Sequence, residues 1–157
     1  MPRLVSVRVN GAVRAGLGIN REQAIADDGA TGLFGRAGWA DGNVEANAFA
    51  ESDAAYSIGV QVAGVHWRRK ADSIGVALGT SGISRIHQQY LSAGGLGFNL
   101  GDGGLRYGSE STLEGYYLYQ ASNNLQATAD FQYVVNPGYN RDRGPAPIIS
   151  LRLRFNF

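Results

Sequence analysis

The sequence predicts an all-β fold: an antiparallel transmembrane β-barrel, or part of one, with about eight long strands. Three observations carry this. Apolar and polar residues alternate with a period of two through most of the 157 residues, which puts one set on each face of an extended chain. The polar set holds Arg, Asp, Glu and Gln rather than a second core's worth of leucines. The inferred strands run to roughly 9–17 residues, longer than the 5–6 of soluble strands and enough for the 9–11 that cross an outer membrane.

Composition narrows the function classes. Lys plus Arg is 14 and Asp plus Glu is 13, a net charge of +1 with no basic excess to hold a nucleic acid. Charged residues are 17%, below the roughly 25% of soluble domains. There is no cysteine, hence no disulfide, thiolate metal site or cysteine nucleophile, and two histidines, His66 and His87, are too few for a histidine-rich metal site. No cofactor and no metal are expected. No apolar run approaches the roughly 18 residues of a transmembrane helix.

Taken in order, Val5, Val7, Val9, Val13, Leu17 and Ile19 share one parity and are read as a single long strand running through Asn10-Gly11. Arg21–Gly29 is then expected as a loop. Asp41-Gly42 is a type I′ hairpin candidate that pairs Trp39 with Val44, Arg36 with Asn47, Gly38 with Glu45 and Phe34 with Phe49. Tyr56, Ile58, Val60 and Val62 mark another strand, and after Trp67–Ala71 come Ile74, Val76 and Leu78. Gly82–Ser111 is the longest irregular stretch, with a short helix expected over Ile83–Leu91. Leu113, Gly115, Tyr117 and Tyr119 resume the alternation. The Ser122-Asn123-Asn124 loop carries it into Leu125, Ala127, Ala129, Phe131 and Tyr133, which sets Tyr116 opposite Asp130 and Glu114 opposite Gln132. After the turn-rich 136–145 segment, the last strand alternates Ile149, Leu151, Leu153, Phe155 and Phe157 with Ser150, Arg152, Arg154 and Asn156.

With the C-terminal end taken as periplasmic, Ser122–Asn124, Trp67–Ala71 and Asp41–Gly42 become short periplasmic turns. Arg21–Gly29, Glu51–Ala55, Gly82–Ser111 and Asn136–Ala146 become external loops, three of them long. Trp39, Trp67, Tyr117, Tyr119, Phe155 and Phe157 then gather near the periplasmic rim, and Tyr56 and Tyr133 near the other. Aromatic belts of this kind suit the two interfaces of a membrane.

Ile149-Ser150-Leu151-Arg152-Leu153-Arg154-Phe155-Asn156-Phe157 resembles the C-terminal signal read by the barrel-assembly machinery. Gly104-Leu105-Arg106-Tyr107-Gly108-Ser109-Glu110, Leu113-Glu114-Gly115-Tyr116-Tyr117 and Tyr133-Val134-Val135-Asn136-Pro137-Gly138-Tyr139-Asn140-Arg141-Asp142-Arg143-Gly144-Pro145 resemble the carbohydrate-selective porin family of Gram-negative outer membranes. So do Phe34-Gly35-Arg36-Ala37-Gly38-Trp39 and Ala93-Gly94-Gly95-Leu96-Gly97-Phe98. The resemblance implies a passive channel for mono- or oligosaccharides, seated in outer-membrane lipid, and covers the C-terminal part of such a barrel. Residues 1–157 are then one porin segment lacking a signal peptide and the N-terminal strands. The alternative is a small closed eight-strand barrel acting as an anchor or surface-binding module.

The lumen face is expected to carry Arg36, Glu45, Asn47, Glu114, Tyr116, Asp130, Gln132, Arg152 and Arg154, with Phe34 and Phe49 stacking against a sugar ring. Charged and amide groups there replace the hydration of a polyol. Gly95–Gly101 lacks the spacing and following helix of a phosphate loop. Ser84 and His87 have the spacing of a nucleophile and base but no accompanying oxyanion element, so no enzyme and no catalytic residue is expected.

Overall fold

The computed structural model describes residues 13–42, 51–97 and 100–157. They form one antiparallel sheet of seven strands in sequential order: β1 (Gly16–Ala26), β2 (Thr31–Ala40), β3 (Ala54–Ala63), β4 (Ser73–Gly82), β5 (Glu110–Ser122), β6 (Leu125–Val135) and β7 (Ala146–Phe155). One helix, α1 (Arg85–Ser92), follows β4, close to the expected position. Among the described residues β1 and β7 are the sheet's edges and do not pair with each other.

The alternation becomes two chemically distinct faces. Ladder partners share a face, so one row runs Gln23, Leu33, Val60, Val76, Gly115, Phe131, Ile149 across all seven strands. The next row runs Glu22, Phe34, Gly59, Ala77, Glu114, Gln132, Ile148 on the other side. The apolar face stands open, with Ile149 83% and Leu151 72% exposed. A continuous exposed face of branched side chains is unstable against water and suits hydrocarbon. A soluble sandwich would bury it under a second sheet, and no second sheet is present among the described residues. No helix among them is long and apolar enough to cross a membrane.

The buried hydrophobic cluster lies at one end of the sheet. Ile83, Leu91, Leu100 and Tyr139 pack there with Tyr90, Leu105 and Tyr107. This cap is built from α1, the chain leading to β5, and the β6–β7 connection. Ser84 caps α1, its hydroxyl oxygen accepting from the His87 backbone N–H at 3.2 Å while donating to the Gly42 carbonyl. Ser84 and His87 are therefore a helix-capping pair. Asp53, 7% exposed, ties the cap down by accepting from the Ser84 N–H and from Arg14, both at 2.6 Å.

Several expectations are corrected. β1 continues to Ala26 and turns at Asp27–Gly29, so Arg21–Ala26 is strand rather than loop. Both edges of β2 are taken: Trp39 pairs with Leu17 and Ala54, which leaves no edge for a hairpin partner at Val44. Asp41–Gly42 instead begins the connection from β2 to β3. The expected strand over Val5–Val9, and Glu45, Asn47 and Phe49, lie outside the described residues. Losing the hairpin inverts the ends of the first two strands. Among the described residues the short-turn end holds 27–30, 64–72 and 123–124, and the long-loop end holds 41–42, 51–53, 83–97, 100–109 and 136–145. Trp39 accordingly moves to the long-loop rim beside Tyr56 and Tyr133. Trp67, Tyr119 and Phe155 stay at the short-turn rim.

Candidate functional site

The polar face is concave enough to hold a cavity of about 760 Å³ toward the long-loop end, whose walls include Asn20, Arg36, Ser57, Glu110 and Thr112. Its floor is smooth because β3 and β4 turn only small residues and Gln61 to this side: Ala55, Ser57, Gly59, Gln61 and Ala63 from one strand, Ser73, Gly75, Ala77, Gly79 and Ser81 from the other. Longer side chains flank this trough from β1–β2 and from β5–β7.

On the β1–β2 flank, Arg36 reaches Glu22 at 3.5 Å and lies 5.2 Å from the centre of the Phe34 ring. Both charged side chains are more than half exposed, so the pair is a weak, solvated one. On the opposite flank, Tyr116 is opposite Asp130 and Glu114 opposite Gln132, in the register expected from the Ser122–Asn124 turn. Ser150 donates to Asp130 at 3.2 Å. Arg152 pairs in the ladder with Thr128 and Arg154 with Gln126, which keeps both arginines off the apolar face. The expected residues Phe34, Arg36, Glu114, Tyr116, Asp130, Gln132, Arg152 and Arg154 thus share one face.

Two further features were not legible in the sequence. Phe34 lies across Gly59, and Tyr116 lies across Gly75 with its hydroxyl donating to Gln61 Oε1 at 2.6 Å. The sequence signal is an aromatic on one strand and a glycine of matching parity on the next, and it becomes readable only once the register is known. The second feature is that the cap leans over this face. Ser81 and Glu110 are ladder partners on the polar side. Ser81 donates to the Tyr139 hydroxyl at 3.3 Å, and the Gly138 N–H donates to Glu110 at 2.7 Å. Burial pushes the Tyr139 phenol above its ordinary range.

The chemistry available is hydrogen bonding, weak charge and ring stacking. No group of three or more metal-ligating side chains occurs among the described residues. A family model described as carbohydrate-selective porin, OprB family, matches residues 8–157. No curated protein and no solved structure matches the chain.

Proposed function

Because the chain belongs to the carbohydrate-selective porin, OprB family, we propose that it is a segment of an outer-membrane channel wall through which carbohydrates diffuse passively. The observation that carries this reading is a membrane-length sheet with one apolar and one polar face, in a chain matched by that family over residues 8–157. In this reading the apolar face meets lipid, and Phe34, Arg36, Glu114, Tyr116, Asp130, Gln132, Arg152 and Arg154 line the sugar path. Neutral polyols exchange water for these donors and acceptors at little net cost, because each hydrogen bond is worth only about 0.5–1.5 kcal/mol. Interspersed charges of both signs keep the wall from selecting strongly for ions. Weak contacts are what rapid passage requires. Phe157 is the group offered to the barrel-assembly machinery, and the outer membrane of a Gram-negative bacterium is the location.

Liposome swelling tests this. A complete barrel containing this segment passes glucose. The 157-residue chain by itself does not, since diameter grows with strand number and about eight strands leave an interior filled by side chains. Rapid swelling with the purified chain alone would reject the second statement, and impermeability of the complete barrel to every sugar would reject the first.

A further inference from the structure

We propose that Phe34 and Tyr116 form a two-ring platform that takes the apolar C–H face of a pyranose, and that Gly59 and Gly75 are the seats holding the rings flat. This deepens the sugar-path reading and rests on it. A Cβ on Gly59 would stand 2.4 Å from Phe34 Cε1, and one on Gly75 would stand 2.3 Å from Tyr116 Cε1. Each ring therefore occupies the space that a side chain on the neighbouring strand would fill. Both glycines sit in extended strands, so glycine is needed there for space and not for a special backbone angle. Both are buried, while the two rings above them are only half-buried. One face of each ring is thus against the wall and the other is directed away from it.

The seats are diagonal neighbours, because Gly59 pairs with Ala77 and Gln61 pairs with Gly75. Diagonal positions on adjacent antiparallel strands are roughly 7–8 Å apart, within the span of one sugar ring and its substituents. Phe34 reaches in from β2 and Tyr116 from β5, so the two rings lean toward each other over the trough. The hydrogen bond to Gln61 fixes the Tyr116 ring. Arg36 is the movable part: its solvated side chain swings off Phe34 and donates to hydroxyls at the edge of the sugar. Glu114 and Asp130 accept hydroxyls on the Tyr116 side. A flat ring with C–H groups on its faces and hydroxyls around its rim matches both parts of this arrangement.

The test is saturation-transfer NMR on the complete barrel containing this segment, in lipid nanodiscs, with methyl α-D-glucopyranoside as the cyclic probe and sorbitol as the acyclic one. Transfer is expected to the glucoside ring C–H protons and to be much weaker for sorbitol. Phe34→Leu and Tyr116→Leu should each reduce it by about two- to tenfold, whereas Tyr116→Phe, which keeps the ring, should retain most of it. Gly75→Ala keeps the tyrosine but fills its seat, and should behave like Tyr116→Leu. Each variant is compared with the wild type only in its heat-modifiable, folded form. Equal transfer to both probes, or transfer unchanged in the leucine variants, overturns the platform and leaves the sugar path standing. No transfer to either probe, together with no sugar flux through the complete barrel, overturns both.

Discussion

Asp72 is buried in the turn between β3 and β4, where its carboxylate accepts from Arg69 Nε at 2.5 Å, Arg69 Nη2 at 3.1 Å, the Tyr117 hydroxyl at 2.6 Å and the Gln120 N–H at 3.0 Å. The Arg69 guanidinium, followed by Tyr117 and Gln120, holds the carboxyl down to about 2 against the opposing effect of burial. A carboxyl depressed in the folded state stabilises it above the unfolded pKa, and the contribution is lost as pH falls from near 4 through 2. Thermal unfolding followed by tryptophan fluorescence should therefore show a midpoint that drops over that window. Asp72→Asn should lower the midpoint at neutral pH by about 2–6 °C and flatten the acid dependence. An unchanged acid dependence in Asp72→Asn would mean that other carboxylates account for it. Arg69 is three residues away in the sequence, but Tyr117 and Gln120 reach Asp72 only through the β4–β5 register, so its full set of partners is not legible locally.

At the scale of elements, β7 shows why the strands were legible. Ser150 and Leu151 are adjacent, yet Ser150 pairs with Asp130 on the polar face and Leu151 with Ala129 on the apolar one. A slip of one residue would put Arg152 and Arg154 into hydrocarbon, which makes the register costly to change. The same logic predicts opposite outcomes for neighbouring substitutions. Leu151→Arg should cost roughly 2–4 kcal/mol and deplete the folded, heat-modifiable form in outer-membrane fractions. Ser150→Arg, beside a carboxylate, should leave it near wild type. Equal depletion would show that the two faces are not as different as their side chains. The β5–β6 hairpin was equally legible from the Gln120–Gln126 pair onward, where both faces match; at its tip Ser122 pairs with Leu125 after a register shift, so the turn is Asn123–Asn124 rather than the expected three-residue loop. Asp41-Gly42 met the same criteria and misled: matching faces are necessary for a hairpin, but β2 already had partners in β1 and β3.

For the whole molecule, the two-faced sheet follows from alternation alone, whereas the assignment of connections to ends depends on counting strands. One miscounted hairpin moved Trp39 and the Asp27–Gly29 turn to the opposite rims. The orientation is open to a clean test, since the sequence contains no cysteine to confuse labelling. With the long-loop end external, Asp102→Cys should react with a membrane-impermeant maleimide on intact cells. Lys70→Cys should react only after the outer membrane is breached. The reverse pattern would invert the topology. The cap was legible only in part: the α1 segment was expected as a helix, but its packing under Tyr139 joins residues nearly fifty positions apart.

Among the described residues β1 and β7 end the sheet, and their directions restrict how it can close. β1 and β7 are both odd-numbered in a strictly alternating series, so they point the same way across the sheet. Joined directly, they would meet as a parallel seam, with slanted hydrogen bonds and a slightly weaker ladder. An all-antiparallel closure therefore requires an odd number of strands beyond the seven described to be interposed. One added strand gives about eight and an interior crowded with side chains; nine give about sixteen and an aqueous bore. Only the wider closure leaves the Phe34 and Tyr116 rings facing open space.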